Sequence, residues 1–267
     1  MYSDFHVHSE FSSDSNAPIR GQIEQAIKLG MKHICITDHH DYNNIPIKET
    51  EFFLDTDNYF SVLTKLKVEY ANRINMHIGV ELGLQTCVYD YNVNYTSKYP
   101  FEFIIGSIHC LKGLDPYYPE YFEGRNEEEA YREYFEIALE NVKLFDCYDV
   151  LGHLDYIVRY GPNKSKFYSY LQYKDIIDEI LKEIIYHGKG IECNTSGFRY
   201  GLGLTNPHFD IIKRYAELGG EILTLGSDAH YVKDIGYHFD NLSDYLKKCG
   251  LKYYTIFSER KPEFIRL

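Results

Sequence analysis

Short apolar runs alternate along the chain with longer stretches in which apolar residues recur at helical spacing. The short runs predict buried strands, and the longer stretches predict amphipathic helices. Because strands that alternate with helices are typical of βαβ units, the pattern predicts an α/β protein with a parallel sheet. The predicted strands are Tyr2–Val7, His33–Thr37, His77–Leu82, Phe101–Ser107, Asp149–Gly152, Gly190–Asn194 and Ile222–Gly226.

Seven such strands favour closure into a barrel over an open sheet, and the absence of a convincing linker favours a single domain over residues 1–267. The polar, tyrosine-rich stretch Tyr89–Tyr99 is predicted to be a loop, and the tail around Ser258–Pro262 a terminal hairpin with strands Lys252–Phe257 and Phe264–Leu267. Asn206 and Pro207 supply a cap residue and a first helical residue for the last predicted helix. The predicted helices are Pro18–Leu29, Asn58–Ile74, Glu127–Phe145, Lys174–His187 and Pro207–Leu218.

Bulk composition narrows the set of partners. The chain has 28 lysines and arginines against 40 aspartates and glutamates, a net charge of −12, which disfavours nucleic acid and anionic membranes. Six scattered cysteines without a Cys-x-x-Cys pair argue against a disulfide scaffold or a zinc ribbon. No signal-like or membrane-spanning run is present, so we expect a soluble cytoplasmic protein.

Histidine, aspartate and glutamate recur at the ends of the predicted strands. His6 and His8, two residues apart on one strand, point to the same side. Because the carboxyl ends of barrel strands share one rim, we expect these side chains to converge there. The other strands contribute His39, Glu81, His109, His153, Glu192, Asp228 and His230 at or near that rim.

Such a set of nitrogen and oxygen ligands without thiolate suits Zn²⁺, Mn²⁺ or Fe²⁺. It exceeds the four ligands that one zinc ion needs, so we expect two or three ions, with Glu81 as the natural bridge. We expect Asp4 and Asp38 to orient ligand imidazoles through hydrogen bonds, with His40 left ambiguous. The remaining histidines are predicted to be structural or at the surface: His33, His77, His187, His208 and His238.

Two arginines lie in loops that open onto the same rim. Arg159 follows the fifth strand and Arg199 the sixth. Guanidinium groups beside a multinuclear metal site suit a phosphate, which they grip in a bidentate manner. The residues alone leave phosphate binding and surface ion pairing about equally favoured.

These motifs resemble the polymerase and histidinol phosphatase (PHP) family, from Asp4-x-His6-x-His8 to Ser227-Asp-Ala-His230. Other segments, including Gly152–Pro162 and Asn194–Arg199, resemble its histidinol-phosphatase branch. The resemblance implies a distorted (β/α)₇ barrel with a trinuclear metal site at the C-terminal rim. It also strengthens the assignment of Arg159 and Arg199 to phosphate binding.

The resemblance further implies a partition of ligands among the ions. At the position of Asp14 many family members carry histidine, so aspartate could bias the metal or weaken the third site. The implied sets are His6, His8, Glu81 and Asp228 for the first ion, Glu81, His109 and His153 for the second, and Asp14, His39 and His230 for the third.

The leading hypothesis is a metal-dependent phosphomonoesterase that hydrolyses L-histidinol phosphate, with a hydroxide bridging two ions as the nucleophile. Glu81, Asp228 and His230 are expected to be the catalytic residues. No residue stands out as the acid that protonates the leaving group, and recognition of the imidazole and amine is left open.

Three alternatives stay open. A related phosphoesterase acting on a nucleotide or on phosphotyrosine would keep the metal ligands and change the rim. A metal-dependent amidohydrolase would usually carry a bridging lysine on a strand, and none of the seven predicted barrel strands offers one. A non-enzymatic metal-binding accessory domain would lack some ligands, whereas this set is complete.

Overall fold

The computed structural model describes residues 3–42 and 52–267. The strands are β1 (His33–Ile36), β2 (His39–His40), β3 (Asn75–Gly83), β4 (Phe103–Ser107), β5 (Val150–Leu151), β6 (Gly190–Asn194), β7 (Leu223–Gly226), β8 (Tyr253–Ser258) and β9 (Lys261–Arg266). The main sheet is parallel, in the order β1-β3-β4-β5-β6-β7, with the short β2 paired to β3. Six of the seven predicted strands are therefore confirmed, with shorter bounds for some.

The remaining predicted strand, at the N-terminus, links the two edges of the sheet but is not a regular strand. Asp4 bridges to Ile34 in β1, and Val7 bridges to Ala229 just beyond β7. A side chain replaces part of the ladder, since the backbone N–H of Val7 donates to Thr37 Oγ1 at 3.0 Å. By joining the first and last strands, this run closes the curled sheet into the distorted barrel that the sequence predicts. Tyr2, the first residue of the prediction, lies outside the described residues.

Helices cover the outside of the sheet and bury one face each. In the helix Glu127–Leu144, for example, Tyr134, Phe135 and Ala138 are buried. No helix in the described ranges is both long enough and apolar enough to cross a membrane. The helices are α1 (Ile19–Lys28), α2 (Thr56–Tyr70), α3 (Tyr89–Lys98), α4 (Glu127–Leu144), α5 (Lys174–Tyr186), α6 (Ser196–Arg199), α7 (Phe209–Glu217) and α8 (Leu242–Lys248). Short 3-10 segments occupy Thr86–Val88, Pro119–Phe122, Tyr156–Arg159, Lys164–Lys166, Tyr170–Tyr173 and Val232–Asp234.

The last predicted helix begins two residues later than expected, at Phe209. Its first turn is capped by His208, whose Nδ1 accepts a hydrogen bond from the backbone N–H of Asp210 at 3.1 Å. The side chain of Asn206 is engaged elsewhere, because it accepts from Arg159 Nε at 2.9 Å and donates to Asp155. It is therefore not free to cap the helix.

The loop prediction for Tyr89–Tyr99 is wrong, because this stretch forms α3. Contacts with the rest of the protein hold the helix. The side-chain amide of Asn92 donates to the carbonyl oxygen of Gly83 at 2.9 Å. Tyr95 stacks on His40 with ring centroids 3.8 Å apart, so His40 belongs to this aromatic packing and not to the rim. The sequence of this stretch has no clear helical periodicity, so it did not predict the helix.

The terminal hairpin is confirmed as β8 and β9, although β9 begins at Lys261, earlier than predicted. Glu259 and Arg260 form its two-residue turn, and both have positive φ, as a tight hairpin turn requires. Phe257 packs on Phe103 with centroids 5.0 Å apart, at the start of β4. The hairpin therefore covers the amino-terminal end of the barrel, and the opposite end stays open.

Candidate metal centre

The carboxyl ends of the parallel strands bring the nine predicted ligands together. We call these nine residues the donor cluster. Each of them places a nitrogen or oxygen within 4 Å of another member's donor atom. The donor cluster consists of His6, His8, Asp14, His39, Glu81, His109, His153, Asp228 and His230.

Glu81 lies at the middle of the donor cluster and is fully buried in β3. Its Oε2 is 3.0 Å from His6 Nε2 and 3.1 Å from His39 Nδ1. Its Oε1 is 3.2 Å from His109 Nε2 and 2.9 Å from His153 Nε2. The two carboxylate oxygens thus face two separate groups of imidazoles, the arrangement expected of a bridging ligand.

Asp228 follows β7 and has a φ of 55°, a backbone conformation that few residues other than glycine adopt. Its Oδ1 faces His8 Nε2 at 3.4 Å and His6 Nε2 at 3.7 Å. Its Oδ2 accepts a hydrogen bond from Arg159 at 2.9 Å. Backbone strain at a buried, polar position is a common mark of a functional site.

Asp14 and His230 form the outer part of the donor cluster. His230 Nε2 lies 3.1 Å from Asp14 Oδ2, and His39 Nε2 lies 3.7 Å from the same oxygen. The imidazole of His8 stacks on that of His230 with centroids 4.0 Å apart. The side chain of Asp14 is 36% exposed, so this part is the most open to solvent.

Several donor atoms are buried yet lack a hydrogen-bond partner within the described part of the chain. They are His6 Nε2, His8 Nε2, His39 Nδ1 and Glu81 Oε2. These atoms approach one another at 3.0–3.4 Å without hydrogen-bond geometry. Because an unsatisfied buried polar atom costs roughly 1–3 kcal/mol, four of them around one point fit a bound cation. The residues present therefore fit divalent metal ions.

Shifted pKa values keep two members of the donor cluster, Glu81 and His8, in the forms that ligate metals, whereas carboxylates outweigh burial and raise the pKa of His6. Burial alone would raise the pKa of Glu81, but the imidazoles of His6, His39 and His109 outweigh it and hold the pKa well below the ordinary value. Burial and the neighbouring imidazoles of His230 and His39 lower the pKa of His8 far below its ordinary value. An ionised carboxylate and a neutral imidazole are the forms that ligate metals.

Carboxylates behind the imidazoles orient two of them. Glu192 Oε1 lies 2.6 Å from His6 Nδ1, and Asp41 Oδ2 lies 2.8 Å from His109 Nδ1. The sequence predicted that Glu192 lies at the rim but not that it orients an imidazole. It gave no prediction for Asp41. The only available signal was Glu192 itself, a charged residue within an apolar strand.

The expected orienting roles of Asp4 and Asp38 need correction. The prediction for Asp4 is wrong, because its carboxylate accepts hydrogen bonds from the backbone N–H groups of Ser227 and Gly236 and from the Ser227 hydroxyl. Asp38 acts only indirectly. It accepts from Ser12 Oγ at 2.7 Å, and that oxygen lies 3.1 Å from His8 Nδ1.

The two predicted phosphate-binding arginines line the same cleft at the rim and have different surroundings. Arg159 is buried, and its Nη2 has no hydrogen-bond partner among residues 3–42 and 52–267. Arg199 donates from Nη1 to the carbonyl oxygen of Ser227 at 2.7 Å and from Nη2 to that of Asp228 at 2.6 Å. Arg199 therefore also holds the strained turn that carries Asp228.

A cleft of about 760 Å³ opens above the donor cluster and is lined by both arginines. No lysine lies in its described lining, in keeping with the lack of a bridging lysine in the strands. Its wall is aromatic, with Tyr117, Tyr118, Tyr156, Tyr160, Tyr200 and Tyr231.

The five histidines predicted to be structural lie away from the donor cluster. His33 and His77 contact each other at 3.1 Å near the hairpin end of the barrel. His208 caps α7, His187 ends α5, and His238 stacks on Phe198 with centroids 4.4 Å apart.

Comparison with known proteins identifies the family. The model of the PHP domain matches residues 4–196. The chain belongs to the PHP family. It is 36% identical to the probable histidinol-phosphatase of Clostridium acetobutylicum, over 98% of both chains. It is 31% identical to the histidinol-phosphatase of Lactococcus lactis, over 97% of this chain and 95% of that protein.

A solved structure of the same branch agrees with the fold. It is the crystal structure of histidinol phosphate phosphatase from Lactococcus lactis complexed with zinc, L-histidinol and phosphate. The two chains superpose with a TM-score of 0.88 at 30% identity, over 98% of each chain. The distorted barrel predicted for this family is thus confirmed.

Proposed function

We propose that this protein is a metal-dependent phosphomonoesterase that hydrolyses L-histidinol phosphate to L-histidinol and phosphate. The observation that carries the reaction class is the position of Arg159 Nη2, which has no hydrogen-bond partner within the described residues, in one cleft with the donor cluster. A guanidinium and a cation site side by side suit the dianionic phosphate group. The substrate is supported by relatives named histidinol-phosphatase and by the structure complexed with L-histidinol and phosphate.

The donor cluster would hold two to three divalent ions, with zinc, manganese and iron as the candidates. Zinc is supported by the structure from Lactococcus lactis. The two carboxylate oxygens of Glu81 support a division of the ligands between a first and a second ion. His6 and His8 lie close to Oε2, whereas His109 and His153 lie close to Oε1. When bound, the ions supply activation of water as a nucleophile and neutralise charge on the phosphoryl group. The proposed third set is Asp14, His39 and His230.

The chain itself would position the phosphate and the ligands. Arg159 Nη2 would donate to a phosphoryl oxygen while Nη1 keeps Asp228 in place. Each terminal nitrogen of Arg199 has a second hydrogen, so this residue can contact phosphate while it holds the turn after β7. Glu81, Asp228 and His230 would be the catalytic residues, as the sequence predicts.

Three further points stay predictions from the sequence. They are a single phosphoesterase domain over residues 1–267, a cytoplasmic location, and the lack of nucleic-acid and membrane partners. The completeness of the donor cluster supports an enzyme over an accessory metal-binding domain.

The test is turnover after removal of metal and reconstitution with Mn²⁺ or Zn²⁺. We expect a higher kcat/KM for L-histidinol phosphate than for AMP, phosphotyrosine or p-nitrophenyl phosphate. His153→Ala should abolish turnover, whereas His187→Ala, at the end of α5, should leave it unchanged. A substrate hydrolysed about 100-fold faster would overturn the substrate assignment but keep the class. Activity that survives metal removal would overturn the class.

A further inference from the structure

The cleft contains four carboxylates besides Glu81 and Asp228. Three of them face a basic side chain, at 3.1, 2.8 and 3.7 Å respectively. The remaining one, Asp115, has no ion-pair partner within the described residues. Its Oδ1 accepts a hydrogen bond from the backbone N–H of Tyr117 at 2.8 Å. The three occupied pairs are Asp14–His230, Asp41–His109 and Asp234–Arg199.

The loop after β4 holds Asp115 at the cleft. Leu111 and Leu114 exchange two backbone hydrogen bonds, of 2.7 and 3.0 Å, and so reverse the chain just before Asp115. The same loop begins with His109 of the donor cluster. A rigid turn next to the proposed reaction site is a suitable place for a group that must meet one part of a substrate.

The surroundings of Asp115 favour a cation from outside the protein. Burial raises the pKa of Asp115 to about 6, because the cleft desolvates the carboxylate and supplies too little positive charge. Tyr117 and Tyr156 line the same cleft. Their aromatic faces attract organic cations and add to the effect of a carboxylate. A metal ion is less suitable here, since Asp115 is not in any group of clustered donors found in the described chain.

Histidinol phosphate carries such a cation. Its primary ammonium is attached to the second carbon from the ester oxygen, close to the phosphate. With the phosphate between Arg159 and the donor cluster, the ammonium must lie along the cleft wall. Of the carboxylates there, Asp115 is the one that does not already face a basic partner within the described residues.

We propose that Asp115 binds the primary ammonium of the substrate and thereby determines specificity for amino-alcohol phosphates. This inference rests on the proposed function. Asp115 would discriminate against phosphomonoesters without an amine, because they would leave its half-buried carboxylate unpaired.

The experiment compares two substrates that differ only in the amine, L-histidinol phosphate and 3-(imidazol-4-yl)propyl phosphate. Asp115→Asn should lower kcat/KM for the amine substrate by roughly 10- to 100-fold, the loss expected for one charge-assisted hydrogen bond. It should change kcat/KM for the deamino substrate by less than about threefold. Asp240→Asn, at an exposed position outside the cleft, is the matched control and should leave both unchanged.

Asp115→Glu guards against a folding artefact, because it keeps the charge and should keep most of the preference for the amine. Equal losses on the two substrates, or no loss on either, would overturn the role of Asp115 alone. Failure of the wild-type protein to hydrolyse L-histidinol phosphate would overturn the proposed function, and this inference with it.

Discussion

Replacement of Glu192 by glutamine tests whether the carboxylate behind His6 contributes to metal binding. Glu192 is buried in β6 and accepts three hydrogen bonds. Its Oε1 lies 2.6 Å from His6 Nδ1, and its Oε2 accepts from the backbone N–H of His153 at 2.9 Å and from Asn194 Nδ2 at 3.0 Å. The carboxylate therefore keeps the proton of His6 on Nδ1 and leaves Nε2 free to face Glu81.

Glutamine has the same shape but presents two hydrogens where the glutamate has an acceptor. If its amide nitrogen faces His6, the imidazole proton must move to Nε2, and that nitrogen can no longer ligate. If the amide turns over, two hydrogens meet the donors of His153 and Asn194. Loss of a hydrogen-bond partner behind a ligand histidine typically weakens metal affinity by about 10- to 100-fold, or roughly 1.4–2.8 kcal/mol.

The assay is a competition titration of metal-free Glu192→Gln with Zn²⁺ against a chromophoric chelator, which needs no turnover. We expect the tightest site to weaken by roughly one to two orders of magnitude. Glu179→Gln, on an exposed position of α5, is the control for the loss of one carboxylate. Circular dichroism checks that both variants are folded. An affinity for zinc within about twofold of the wild type would refute the reasoning.

Three further predictions follow from the same geometry. Gly226→Ala should lower the free energy of unfolding by about 1–3 kcal/mol in urea, because the new Cβ would overlap Glu192 Oε1 and lie 2.6 Å from His6 Cβ; an unchanged midpoint would contradict this. Arg199→Ala should lower kcat/KM by roughly 10- to 100-fold in steady-state assays, and an unchanged value would remove Arg199 from phosphate binding. Burial lowers the pKa of His40 from its ordinary 6.5 to about 4, so its contribution to stability is complete above pH 6.5 and is lost as the pH falls toward 4. Over that pH window, the free energy of unfolding of the metal-free wild-type protein, measured in urea, should therefore fall by up to about 3 kcal/mol more than that of the His40→Phe variant. Parallel pH profiles of the two proteins would refute the assignment.

Much of the barrel and of the donor cluster could be predicted from the sequence because both depend on short-range patterns. Alternating apolar runs and amphipathic stretches predict βαβ units, and parallel strands necessarily bring their carboxyl ends to one rim. A ligand at the end of each strand, such as Glu81 or Asp228, is therefore near the others whatever the details of packing. Asp14 is different. It lies in a loop, and only the resemblance to the PHP family drew attention to it.

The residues that surround the ligands could not be predicted, because their roles depend on contacts between distant segments. Glu192 and Asp41 orient imidazoles that are far from them in the chain, across 186 and 68 residues. The helix at Tyr89–Lys98 forms without a strong apolar period, since His40 and Gly83 supply its partners. Propensity is a weak guide where tertiary contacts compensate.

The sequence by itself determined that strand ends would bring candidate metal ligands together and that two arginines would lie at the same rim, because chain order and strand alternation set both. The tertiary structure alone decided which carboxylates of the cleft form ion pairs with basic side chains and which do not. Asp115 has no motif around it, and nothing in its local sequence distinguishes it from Asp41 or Asp234. Hydrogen bonding and charge neutralisation are properties of the assembled cleft, because most partners of its polar groups come from distant parts of the chain.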